Sequence, residues 1–239
     1  MSLLLVADDD TAGITDAQHC WETMHPHSAV RVLTPATLTD RLASLTQDSL
    51  VLDGQPWPMQ DAVALCLTGH FAPDQLHGMT PGDRAYAAGE LTAIVSGLLD
   101  RFKVPTLNRP TGTYLAGQGW TRDQWLTLAA AHGLAATRSD SAETVVAQVV
   151  NASCLVTHGS ARTFPAPLAS VLRRLAATGG LCAAWFRLNS AGFDRFSLTD
   201  AGVGPRLDLC RSAAARRRLL RLCYQALTAA RHPPDPSIA

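Results

Sequence analysis

The sequence predicts an α/β protein: an N-terminal domain of alternating strands and helices over residues 1–111, then a small α+β C-terminal domain over 145–232. Three observations lead there. Short apolar runs alternate with helix-periodic segments through the first half, the pattern of a parallel sheet with helices on its faces. After residue 111 the alternation gives way to a Gly-rich loop, helices and an apparent hairpin. The 239 residues, 47% of them hydrophobic, can fill one large core or two small ones.

Leu3 to Ala7 reads as a buried strand, with Asp8-Asp9-Asp10-Thr11 at its carboxyl end and a helix over Thr15 to Met24. The apolar start is short, lacks a basic flank and meets three aspartates, so it reads as a strand rather than a signal peptide. Val30 to Leu33 is a second strand. Leu38, Leu42 and Leu45 predict a helix over Pro35 to Leu45. Ser49 to Leu52 and Ala62 to Leu67 follow as strands, separated by the turn-rich Gly54-Gln55-Pro56-Trp57-Pro58. Ala88, Leu91, Val95 and Leu98 make one face of a helix over Asp83 to Arg101, and Val104 to Leu107 is the next strand. This half is Rossmann-like in its general plan.

Residues 112–144 read as a connector. Thr121-x-x-Gln124 is a capping box that opens a helix closed by Gly133. Asp140-x-x-Glu143 predicts another short helix. Cys154 to His158 is a strand and Leu168 to Ala177 a helix before Gly179-Gly180. Leu181 to Leu188 and Arg195 to Leu198 pair as a hairpin through Asn189 to Gly192. A last helix spans Ser212 to Arg231, and residues 233–239 form a Pro-rich tail.

Composition sets limits on function. Lys plus Arg and Asp plus Glu both number 20, so no net charge argues for nucleic acid or a membrane surface. No apolar run approaches the roughly 20 residues that span a bilayer. Six scattered cysteines without a Cys-x-x-Cys predict reduced, buried thiols and a cytoplasmic setting. Lysine occurs once, at Lys103.

Three segments carry a resemblance to a known family. Tyr86-x-x-x-Glu90 precedes Val104-Pro105-Thr106-Leu107-Asn108-Arg109-Pro110. His132-Gly133-Leu134 precedes Thr137-Arg138-Ser139-Asp140. Leu175 to Leu181 leads to Trp185-Phe186-Arg187-Leu188 and Phe196-Ser197-Leu198-Thr199. In this order they resemble the ATP-grasp carboxylate–amine ligases, in particular the branch that tailors ribosomal peptides and small natural products. The resemblance implies a pre-ATP-grasp N-terminal domain, a reduced ATP-grasp subdomain at the C-terminus, and a site for ATP and magnesium.

The departures from that pattern concern the chemistry. The resemblance implies two lysines at the ATP phosphates, and the chain has none to spare. It implies an acid and an asparagine for magnesium where this chain has Thr199-Asp200-Ala201. The interval between Thr137 and Val156 is too short for the two nucleotide-binding strands, phosphate loop and hinge implied there. A triphosphate without cations or metal is costly to place in a low-dielectric cleft. The scaffold is therefore expected without the reaction, and no cofactor. The alternative is a minimal ligase that uses ATP and Mg, with Arg109, Arg138, Arg162 and Arg187 at the phosphates.

Candidate binding residues follow from position. Asp9, Asp10 and Thr11 lie at a strand's carboxyl end, where α/β sheets bind ligands, or serve only as a cap. His70 and His77 lie in a loop after a strand, beside Arg84, and could recognise a carboxylate or a peptide. Asn108 and Arg109 end a strand; the arginine could clamp a carboxylate or make a salt bridge at the domain junction. Arg187 is a candidate in the hairpin. Thr111 to Gly119 is Gly-rich but lacks Gly-Lys-Ser/Thr, so it reads as an interdomain loop rather than a phosphate cradle. His19, Cys20, His25 and His27 match no closed zinc spacing. The expected function is a catalytically degenerate accessory or binding subunit that holds a peptide or a partner enzyme in peptide modification or natural-product biosynthesis, with a partner enzyme or a second copy of itself, as a homo-oligomer, as its partner. Neither nucleic acid nor a membrane is expected as a partner.

Overall fold

A computed structural model describes residues 1–8, 13–40, 44–45, 49–52, 54–138, 144–159, 164–190 and 195–231. In chain order its elements are β1 (Ser2–Val6), α1 (Ile14–Met24), β2 (Val30–Leu33), α2 (Pro35–Asp40), β3 (Ser44–Leu45), β4 (Ser49–Leu52), β5 (Gln55–Pro58), β6 (Ala62–Cys66) and α3 (Pro81–Arg101). Then come α4 (Arg122–Ala131), β7 (Ala135–Ala136), β8 (Thr144–Val150), β9 (Ser153–His158), α5 (Ala166–Thr178), β10 (Ala183–Ser190), β11 (Phe196–Val203) and α6 (Ala213–Arg231).

β2, β1 and β6 form a parallel sheet in that order. Every residue of β1 and β6 is buried, as a strand covered on both faces requires. Leu4, Val6, Ala62 and Ala64 face the α3 residues Ala88, Val95, Leu98 and Leu99. Leu3, Leu5, Val63 and Leu65 belong to a second cluster with Ala17 and Trp21 of α1 and Leu219, Leu220, Cys223, Tyr224 and Leu227 of α6. Thus the last helix of the chain completes the first sheet. The Tyr224 hydroxyl donates to the Ala17 carbonyl at 2.7 Å, which satisfies the phenol where burial pushes its pKa far up.

The C-terminal sheet has the order β7-β11-β10-β8-β9. Its four long strands are antiparallel, and only β7 joins in parallel, on β11. One face carries Ala147, Val149, Ala184, Phe186, Leu188 and Leu198 into the first cluster, against Trp125 of α4 and Leu168, Leu172 and Leu175 of α5. Trp125 and Phe186 meet edge to face, with centroids 5.6 Å apart. The other face gives Val150, Leu155 and Ala183 to the second cluster under α6. A small antiparallel sheet, β3-β4-β5, flanks the N-terminal half.

Several expectations need correction. The helix predicted to reach Leu45 ends at Asp40, and Ser44–Leu45 pairs with β4 instead. Gln55–Pro58, read as a turn, is an edge strand; its two prolines are tolerated there. Val104 to Leu107 reduces to a single bridge between Thr106 and Ala64. Thr144–Val150, assigned to no strand, is the interior strand β8 between β10 and β9, and β11 runs on through Thr199, Asp200 and Ala201 to Val203. The helix expected at Asp140 to Glu143 and the Pro-rich tail lie outside the described residues. The capping box is present: Thr121 Oγ1 accepts from Gln124 N at 3.3 Å, and Gln124 Oε1 accepts from Thr121 N at 2.7 Å.

Candidate functional site

The carboxyl ends of β1 and β6 face the far ends of β10 and β11 across a cavity of about 500 Å³. Five separate segments build its wall. Asp8 follows β1, and residues 67–75 follow β6. Tyr114, Ala116 and Trp120 come from the loop before α4. Trp185, Ala201, Gly202, Val203, Arg206 and Asp208 come from the C-terminal sheet and the turn after it. This is where open parallel sheets place ligands.

Two close approaches shape the aromatic wall. A Cβ on Gly69 would run into the Tyr114 ring, so only glycine lets that ring lie against the loop. A Cβ on Gly202 would sit 2.6 Å from Trp185 Nε1, so the indole lies flat over β11 because the residue opposite has no side chain. His70 completes this side, its ring 5.8 Å from that of Tyr114. Burial pushes the Tyr114 phenol up and the nearby Arg206 charge partly offsets this.

Arg206 and Asp208 form the polar floor. Arg206 Nε and Nη2 donate to the two Asp208 carboxylate oxygens at 2.7 and 2.6 Å, a bidentate fork. The Arg206 guanidinium also lies 5.5 Å from the Trp185 ring. Gln148, on β8 and 1% exposed, holds the turn: its Nε2 donates to the Arg206 carbonyl at 2.8 Å and its Oε1 accepts from Arg206 N at 2.9 Å. The hydrogen bonds from Arg206 hold the Asp208 carboxyl below its ordinary value, and those same bonds hold Arg206 protonated. Asp8 Oδ1 accepts from Ala72 N at 3.0 Å and so ties the end of β1 to the loop after β6.

The residues singled out from the sequence are not gathered there as a set. His70 lines the cavity. Asp9, Asp10 and Thr11 lie outside the described residues, although their neighbour Asp8 is in the wall. Arg84 sits in the first turn of α3, and its Nε donates to the Met79 carbonyl at 2.8 Å. Arg109 is 84% exposed and pairs with Asp100 at 3.2 Å. Arg187 lies on β10 opposite Asp200, away from the cavity lining. Asn108 is 5% exposed and uses its whole amide: Nδ2 donates to the carbonyls of Ala116 and Ala183, both at 2.7 Å, and Oδ1 accepts from Cys182 N and Ala183 N at 2.8 and 2.9 Å. That amide has no hydrogen-bonding position left for a ligand.

The sequence alone does not mark Tyr114, Trp120, Trp185, Arg206 and Asp208 as site residues. Two signals were available: aromatics flanking Gly117-Gln118-Gly119, and Arg206-x-Asp208 just after a Gly-rich turn. Neither says which distant segment will lie opposite.

The chain matches no protein-family model, and no curated protein matches it in sequence. Solved structures do match in fold. The macrocyclase MdnC from Microcystis aeruginosa MRC, bound with its precursor peptide MdnA, superposes with a TM-score of 0.70 at 12% identity, over 93% of this chain and 99% of that one. The ATP-grasp ligase PsnB, complexed with a phosphomimetic variant of its minimal precursor, Mg and ADP, gives 0.66 at 13% identity over 97% and 99%. A RiPP-associated ATP-grasp ligase of Chryseobacterium gregarium, in complex with ADP and a leader and core peptide, gives 0.64 at 8% identity over 94% and 96%. The chain therefore has an ATP-grasp-like fold, as its sequence segments imply.

The residues present do not fit Mg and ATP. At the two positions where the resemblance places magnesium ligands, Thr199 is fully buried with its hydroxyl donating to the Arg187 carbonyl at 3.2 Å, and Ala201 offers a methyl group. Arg138 pairs with Asp123, and Arg162 lies outside the described residues. Among the described residues Arg206 is the one lysine or arginine that lines the cavity, and Asp208 already neutralises it. No cluster of three or more His, Cys, Asp or Glu that could hold a metal occurs among the described residues. Among them, no helix is long and apolar enough to cross a membrane.

Proposed function

We propose that this chain is a catalytically degenerate ATP-grasp-like accessory protein that holds a peptide, or a partner enzyme carrying one, in a peptide-modification pathway. In this reading residues 1–111 are the pre-ATP-grasp-like domain, 112–144 the connector and 145–232 the reduced ATP-grasp-like subdomain. One observation carries the proposal: the cavity between the two sheets is roomy and aromatic, while Thr199 and Ala201 stand where metal ligands would be needed. A pocket that stacks side chains but has no free lysine or arginine among the described residues favours peptide over triphosphate. The precursor peptides bound to MdnC and PsnB support the choice of ligand class.

Calorimetry tests it. Titration with millimolar ATP and magnesium is expected to give no heat of binding, and incubation with them no release of ADP. Ordered nucleotide binding would favour the alternative, an ATP-dependent carboxylate–amine ligase with arginines at the phosphates, and would end this proposal.

A further inference from the structure

We infer that the cavity accepts a cationic group on an aliphatic stem, the ammonium or guanidinium of a peptide, in preference to a neutral or anionic one. This rests on the reading of the chain as a peptide holder and names the chemistry of what it holds. Three carboxylates, Asp8, Asp74 and Asp208, line the cavity with a single guanidinium, Arg206. The fork between Arg206 and Asp208 pairs those two with each other. Asp8 and Asp74 are left without a cation among the described residues; Asp8 takes one backbone N–H, from Ala72. Two negative charges at the edge of an aromatic cavity attract a cation and repel a carboxylate or phosphate.

The aromatic wall supplies the second half of the argument. Tyr114, Trp120 and Trp185 put aromatic rings in the lining, and aromatic rings hold ammonium and guanidinium groups while their stems pack on carbon. The cavity already uses this contact, with Arg206 over Trp185. Carboxylates for the charge and rings for the stem together describe a lysine or arginine residue, or a free amino terminus, in a peptide.

The test uses the intact chain, with NMR of the tryptophan indole N–H groups as readout. The probes are Nα-acetyl-lysine methylamide, Nα-acetyl-arginine methylamide, glycyl-alanine amide with its free amine, and the norleucine and glutamate analogues of the first. The three cations are expected to shift the Trp120 and Trp185 signals at millimolar concentration, and their rank order identifies whether a side chain or an amino terminus is preferred. Norleucine is expected to bind about fivefold more weakly and glutamate weaker still. Asp74→Asn, at an exposed position, should lower lysine affinity by about the same factor and leave norleucine unchanged. Equal binding of lysine and norleucine analogues, or an Asp74→Asn variant with undiminished lysine preference, overturns the inference while leaving a peptide holder intact. If none of the five probes shifts the indoles and ATP with magnesium does, the proposed function falls with it.

Discussion

Asn108 and Ala183 exchange two hydrogen bonds across 75 positions of sequence: Ala183 N donates to Asn108 Oδ1 at 2.9 Å, and Asn108 Nδ2 donates to the Ala183 carbonyl at 2.7 Å. The side-chain amide thus stands in for a peptide group and ties the segment after the first sheet to the start of β10. Asn108→Ala would strand the N–H of Cys182, the N–H of Ala183 and the Ala116 carbonyl. A cost of about 3 kcal/mol is expected, read as a lower urea midpoint at unchanged slope. Asn108→Asp should do no better, because a carboxylate cannot donate to the two carbonyls. If Asn108→Asp is as stable as the parent, the clamp is not structural.

The aromatic wall makes a reciprocal prediction. Gly69→Ala places a methyl group against the Tyr114 ring and should cost about 1–3 kcal/mol through overpacking. Removing the ring should remove the conflict, so Gly69→Ala with Tyr114→Ala is expected to be more stable than the sum of the single changes. A double-mutant cycle by urea unfolding measures this; strict additivity would show that the two residues do not touch.

Thiol chemistry follows burial. Cys182 is exposed, whereas Cys66 and Cys223 are buried. Desolvation pushes the Cys66 thiol up to about 12 and Cys154 up to about 11, while Cys223 moves further up. Iodoacetamide at pH 8 should label Cys182 first among the cysteines, with Cys66 and Cys223 following at the rate of unfolding. Peptide mapping by mass spectrometry reads the order, and early labelling of Cys66 would contradict the packing of β6.

What the sequence made legible was local. The capping box at Thr121, the buried run of β1 and the period of α3 each need only a few neighbouring residues. β8 was not legible because Thr144 to Val150 is nearly all apolar, and such a run shows no period to separate strand from helix. β5 was hidden by Pro56 and Pro58, which only an edge strand accommodates. The cavity was illegible for a different reason. Asp8, Gly69, Tyr114, Trp185 and Arg206 meet only through the packing of two sheets, and no spacing in the chain encodes that meeting. The resemblance to the ligases located the strand carrying Thr199 and Ala201, but not the arginine and aspartate that follow it.

The Arg206–Asp208 fork gives a pH dependence with a defined sign. The Arg206 hydrogen bonds depress the Asp208 carboxyl below its ordinary value of 3.8 in the folded state. A depressed folded pKa stabilises the protein at every pH above the unfolded value, and that contribution is lost as pH falls through the folded value. Both side chains are partly open to water, at 41% and 48% exposure, so the pair is worth about 1 kcal/mol or less. A double-mutant cycle with Arg206→Gln and Asp208→Asn should therefore show its coupling in full at pH 7. The coupling should persist to pH 5 and be lost only well below the ordinary carboxyl value of 3.8, as pH falls through the depressed folded value; unfolding midpoints report it. It should also shrink in 1 M salt, where the Debye length is about 3 Å. Coupling that survives protonation would mean that packing of Arg206 on Trp185, rather than the ion pair, holds the floor of the cavity.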